Sequence, residues 1–218
     1  LSKVAKAYMA ILGDGRGGIF CENSLDLPQH WADKTKEAIQ LGAFDIVVTN
    51  PPFGKKLAID NKDILKSFEM GHAWKEDKLS GKFLKNGVQD KQPPQILFIE
   101  RCLSLLRPGG RMGIVLLESI FGMPKYKYVV DFITTCSKIK AIVTLPETLF
   151  QPYTHAKTCV VIIEKSAPTT NYPIFMCDVK WCGHDSRGNP TWTADENGKR
   201  ILLDEIPNVA SIYKAGKQ

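Results

Sequence analysis

The run Phe44-Asp45-Ile46-Val47-Val48-Thr49 stops at Asn50-Pro51-Pro52-Phe53-Gly54. A near-continuous β-branched run reads as a strand buried on both faces, as in a parallel sheet. Two prolines then remove two backbone N–H donors and fix two φ angles, so the chain must leave the sheet there in a stiff turn. Further apolar runs follow at Met112–Leu117, Ile139–Leu145 and Thr158–Glu164. Between them, helical spacing predicts Gln95–Leu106 and Tyr126–Cys136, and upstream Ser2–Leu12 and Trp31–Leu41. Gly18–Cys21 reads as a short strand and Tyr172–Trp181 as another. Gly188-Asn189-Pro190 and Asn197-Gly198 predict a hairpin near the end. Strand–helix alternation of this kind makes the class α/β with a mostly parallel sheet. Ligands of such sheets bind beyond the carboxyl ends of the strands.

Asn50 therefore stands where chemistry is expected. Its carboxamide oxygen and the Pro51 carbonyl are two acceptors in a stiff loop, and Phe53 adds a flat apolar face. Two acceptors beside an aromatic plate suit a planar heterocycle with an exocyclic amine. Gly54 to Pro94 carries several lysines interleaved with acids, and one helix is expected from Lys62 to Met70. A connection this long is usually functional or mobile. Its lysines read either as a solvated face or as a surface turned to nucleic acid, whose contacts would weaken with salt.

Asn-Pro-Pro-Phe after a buried strand resembles the catalytic motif of S-adenosylmethionine-dependent amino methyltransferases, above all the adenine-N6 DNA enzymes. Ile99–Leu117, with Leu-Leu-Arg-Pro-Gly-Gly-Arg-Met-Gly-Ile-Val-Leu, is similar to the methylation subunit of type I restriction–modification systems. So are Ile142–Lys165, with Leu-Pro-Glu-Thr-Leu-Phe and Thr-His-Ala-Lys-Thr, and Ile174–Pro190. The resemblance implies a Rossmann-like methyltransferase fold lacking its first two strands, with a bare edge on the Phe44–Thr49 strand and a C-terminal hairpin extension. It divides the chain into a partial catalytic domain, 1–165, with its long loop 54–94, and an extension, 166–218. A chain opening on Leu1 then reads as the C-terminal part of a longer catalytic domain.

The resemblance also implies roles. A flipped adenine would offer its amine to Asn50 and to the carbonyl of Pro51, with Pro52 stiffening the loop. It would stack on Phe53, and on Phe150 from the other side, unless Phe150 is ordinary core packing. Asn23, Ser24 and Leu25, together with Asn50, would contact S-adenosylmethionine; Asn23 or Ser24 serves equally well as a plain helix cap. Gly13-Asp14-Gly15-Arg16-Gly17-Gly18 satisfies G-x-G-x-x-G but follows a predicted helix rather than a strand, which reads as a turn. The implied partners are DNA, a specificity subunit and a restriction subunit.

Rival readings keep the enzyme class but change the acceptor to RNA guanine or protein glutamine, or leave a non-catalytic module that binds partners or DNA. A formal charge of +6 permits a nucleic-acid partner without requiring one. No apolar run is long enough to span a membrane. The six cysteines sit mostly in apolar runs, as free buried thiols of a cytoplasmic protein do. Cys177, Cys182 and His184 match no standard zinc spacing.

Overall fold

A computed structural model describes residues 2–13, 17–54 and 57–216. Helix α1 (Ser2–Ile11) comes first, then α2 (Asp33–Ala38) and strand β1 (Phe44–Thr49). The long connection after β1 holds α3 (Lys62–Lys66) and the strands β2 (His72–Glu76) and β3 (Phe83–Val88). Next come α4 (Pro94–Leu105), β4 (Leu106–Leu117), α5 (Ser119–Gly122), α6 (Lys127–Cys136), β5 (Ser137–Leu145) and β6 (Thr158–Lys165). The chain continues through β7 (Phe175–Asp178), β8 (Trp192–Ala194), β9 (Arg200–Leu202) and α7 (Ile206–Ala215).

The main sheet has the order β1-β4-β6-β5-β7. β1 runs parallel to β4 and β7 parallel to β5, while β6 lies antiparallel to both its neighbours. Every strand but β6 therefore points the same way, and the α/β class with a mostly parallel sheet is as expected. β2–β3 and β8–β9 form separate antiparallel hairpins.

One face of the sheet carries the core. Met112, Ile114 and Leu116 of β4 and Cys159, Val161 and Ile163 of β6 are buried at alternate positions, as the two-residue period of a strand requires. They pack with Ile96, Leu97, Ile99 and Leu103 of α4 and Val129 and Ile133 of α6. Burial of the core thiols pushes Cys102 and Cys159 up to about 12. β1 departs from the expectation of two buried faces: Ile46 is 68% and Val48 79% exposed. The reason is positional. β1 is an outer strand, and the helices that pack on the sheet, α4 and α6, lie on the opposite face.

Three further expectations are corrected. Gly18–Cys21 forms no strand, because no described strand pairs with it and a lone strand leaves its backbone groups unmet. Trp31–Leu41 shrinks to α2, whose start is fixed from a distance by the Glu22 carboxylate. That group accepts from the Ala32 N–H at 3.1 Å and the Thr35 hydroxyl at 2.9 Å. The expected helix Lys62–Met70 ends at Lys66, and the described remainder of the long connection is folded. Asn61 caps α3 by accepting from the N–H groups of Asp63 and Ile64, and the β2–β3 hairpin follows. Asp14, Gly15 and Arg16 of the glycine-rich turn lie outside the described residues.

The long connection is anchored to α4. Both carboxylate oxygens of Glu100 accept backbone N–H bonds, from Glu69 at 2.9 Å and Met70 at 2.8 Å. Burial still raises the Glu100 carboxyl above the usual range, outweighing the two donors. A carboxyl raised in the fold holds its proton longer there than in the unfolded chain, so its ionisation opposes folding. Stability is therefore expected to fall as pH rises above about 4.3, the ordinary glutamate value. Glu100→Gln should flatten that fall, read as urea midpoints across the window. A midpoint difference between the two proteins that does not vary with pH refutes the assignment.

Candidate active site

β1 ends beside β4, with Thr49 opposite Ile114 in parallel register. That places Asn50 at the carboxyl edge of the sheet. Its side chain is exposed, and the carboxamide has no hydrogen-bond partner among the described residues; nor has the Pro51 carbonyl. Pro51 is buried and Pro52 exposed, so the loop is seated on one proline while the other faces out. Gly54 has φ +130°, a region closed to residues with a side chain. It lets the chain turn sharply after presenting Phe53.

Phe150 arrives from the far side of the sheet. It ends the short helical turn Glu147–Phe150 that follows β5, and its carbonyl accepts from the N–H groups of Tyr153 (3.0 Å) and Thr154 (3.1 Å). Its ring lies 6.2 Å from the Phe53 ring, inclined at 67°. Phe150 is half-buried and outside the main core cluster. The two rings meet edge to face.

The structure thus brings Asn50, Pro51, Phe53 and Phe150 together at one edge. It does not bring Asn23, Ser24 and Leu25 to them. These three sit beside the C-terminal half of α4, where the Asp26 carbonyl accepts from Arg101 Nη2 at 2.7 Å. The Asn23 carboxamide oxygen accepts the Leu25 N–H at 3.1 Å, and its carbonyl accepts the Trp31 indole N–H at 3.1 Å. Leu25 is 3% exposed, within the core. Asn23 thus closes a local turn and Leu25 packs in the core, while Ser24 lines a small cavity with Trp31 and Arg101.

The sequence offered no signal for the charges that surround the edge. Lys157 and Glu147 are 3.6 Å apart there, and the Lys157 carbonyl accepts from the N–H of Glu118, the residue after β4. Cys182 Sγ lies 3.7 Å from His184 Nε2 and 3.5 Å from the Thr148 hydroxyl. Among the described residues no three His, Cys, Asp or Glu side chains cluster as metal ligands. No helix there is long and apolar enough to cross a membrane.

The family model for N-6 DNA methylases matches residues 4–203. The methylase subunit of the Escherichia coli type I restriction enzyme EcoEI is 28% identical over 185 residues, covering 74% of this chain and 34% of that protein. A structure described as a type I restriction–modification system in complex assembly and conformational transition aligns at TM-score 0.57. It is 22% identical and covers 86% of this chain and 33% of the other. The modification subunit of a type I restriction enzyme from Vibrio vulnificus aligns at 0.54, with 18% identity, 90% of this chain and 43% of that one. The methyltransferase subunit from Streptococcus thermophilus aligns at 0.54, with 18% identity, 98% and 40%. These likenesses show the fold, and the chain spans between a third and about two-fifths of each relative's length. With its family model matched from residue 4 to residue 203, the chain belongs to the N-6 DNA methylase family.

Proposed function

We propose that this chain carries the target-base side of an enzyme that methylates the N6 amine of adenine in DNA, within a type I restriction–modification system. The supporting observation is the pairing of Phe53 with Phe150 beside two unengaged acceptors, Asn50 Oδ1 and the Pro51 carbonyl. When bound, S-adenosylmethionine supplies an electrophilic methyl group on a sulfonium sulfur. The residues of this chain prepare the acceptor. The adenine amine has two N–H bonds, and the loop offers one acceptor for each. Held that way, the nitrogen shifts toward tetrahedral geometry, and its lone pair is localised rather than shared with the ring. Acceptors fixed in a stiff loop stabilise the positive charge that develops on nitrogen, with no reorganisation at the moment of reaction. Phe53 and Phe150 hold the flipped base by stacking, which is tolerant of sequence and fixes the plane in which the amine lies. Partners would be DNA, a specificity subunit that selects the site and a restriction subunit, in the cytoplasm, where the free cysteines are at home.

Product identification tests the reading. A full-length methylase carrying this chain is expressed with its specificity subunit in a host free of adenine methylation, and the DNA, RNA and protein are digested and analysed for methylated products. N6-methyl-2′-deoxyadenosine is the expected product. A methyl group found on RNA guanine or on protein glutamine transfers the function to those rivals, and an absence of any product refutes it.

A further inference from the structure

The β2–β3 hairpin lies at the same edge as the catalytic loop. β4 ends at that edge and α6 starts there, and Lys127, the first residue of α6, pairs with Glu76 of β2. Lys85 of β3 pairs with Glu69 at 2.9 Å, and the Trp74 indole donates to the Glu69 carbonyl at 3.1 Å. The base of the hairpin is thus fixed to the body. Its tip is rigid as well. The Asp77 carboxylate accepts from the Ser80 N–H (3.1 Å) and hydroxyl (2.6 Å), its carbonyl from the Gly81 N–H (2.8 Å), and its own N–H donates to the Lys82 carbonyl (2.8 Å).

This turn holds Leu79 out into solvent, 98% exposed. Exposing a large apolar side chain so fully on an ordered turn gains nothing for the fold. Lys78 and Lys82 flank it. With Lys75 they are the hairpin lysines that have no ion pair among the described residues. Of the two carboxylates beside them, Asp77 is engaged by Ser80 in the tip and Glu76 by Lys127. The tip therefore combines unpaired cations with a protruding apolar wedge, the pairing that proteins press into a DNA groove to part a base step.

We infer that the β2–β3 hairpin is a DNA contact of its own, with Lys78 and Lys82 on backbone phosphates and Leu79 inserted into the duplex near the flipped base. The inference rests on the proposed function and extends it to a surface outside the catalytic loop.

The test is a duplex-binding titration by fluorescence anisotropy over a range of salt, on the chain and on variants at these exposed tip positions. Lys78→Gln with Lys82→Gln should weaken binding about tenfold and lower the slope of log K against log salt by about 2. Leu79→Ser should weaken binding several-fold with the slope unchanged. A control, Lys3→Gln with Lys6→Gln on α1, removes equal charge elsewhere and should change little. The inference is overturned if the chain binds no duplex, if the tip variants bind as the parent does, or if the control loses as much as the tip pair. Failure of the underlying reading shows elsewhere, as a product other than N6-methyladenine, with these binding curves unaltered.

Discussion

Asn50→Ala is expected to reduce methyl transfer by at least about 10²–10³-fold while leaving the fold intact. The native side chain is exposed and has no hydrogen-bond partner among the described residues. Its removal breaks no internal contact, and a surface substitution of that kind changes stability within about 0.5 kcal/mol. The catalytic loss follows from the role. In the proposed function Asn50 Oδ1 is one of the two acceptors for the nucleophilic amine. Deleting one preorganised dipole at a site of developing charge costs about 2.7–4 kcal/mol of barrier. The second acceptor, the Pro51 carbonyl, is backbone and survives the substitution, so the reaction is crippled rather than reset to the uncatalysed rate. The interaction strengthens as nitrogen becomes positive, so the loss should appear in kcat with little change in KM for DNA. Affinity for S-adenosylmethionine should be largely spared. Near-normal turnover in a folded Asn50→Ala protein removes Asn50 from the chemistry.

What the sequence reveals and what it hides follow the physics of burial. β6 and α4 were legible because their apolar positions recur with the period of the element and face a core. The Asn-Pro-Pro-Phe loop was legible because prolines act locally. The β2–β3 hairpin was not. Lys75, Glu76, Leu84, Lys85 and Asn86 are all exposed, so its strands show no apolar alternation. It is seated through Trp74 and Val88, which pack against the core at its base, and Lys127 joins Glu76 across 51 residues of chain. Gly18–Cys21 shows the opposite error, a strand-like composition with nothing to pair with. Phe53 and Phe150 stand at the ends of different turns, and only the resemblance, not periodicity, could join them. Asn23 and Leu25 carry no periodic signal either: one closes a turn and the other packs in the core.

Gly71→Ala is expected to be the most damaging single methyl group that can be added to this fold. A Cβ at Gly71 would lie 2.0 Å from the Leu65 carbonyl oxygen, 2.7 Å from its carbon and 2.8 Å from its Cα. These are backbone atoms at the end of α3, and they cannot swing aside as a side-chain tip can. Nor can Gly71 retreat. The Glu100 carboxylate holds the N–H groups of Glu69 and Met70, Gln92 Nε2 donates to the Met70 carbonyl, and the Gln89 N–H donates to the Gly71 carbonyl at 3.0 Å. Relief therefore requires breaking the clamp between this segment and α4, where Leu65 and Met70 are fully buried. Overpacking of a core typically costs about 1–3 kcal/mol, occasionally more; a backbone clash inside a clamp belongs at or above the top of that range. At about 2–4 °C per kcal/mol for a chain of this size, Tm should drop by roughly 10 °C. The loss should be concentrated in the segment from Asn61 to Gln92, which would be cut first by a protease while α4 and the main sheet stay protected. Gly87→Ala is the matched control. It lies in β3, a Cβ there meets nothing within 4 Å, and its melt should coincide with the parent's. A Gly71→Ala melt that also coincides would show that α3 and the hairpin are not clamped together, and the rigid placement of the hairpin at the catalytic edge would fall with it.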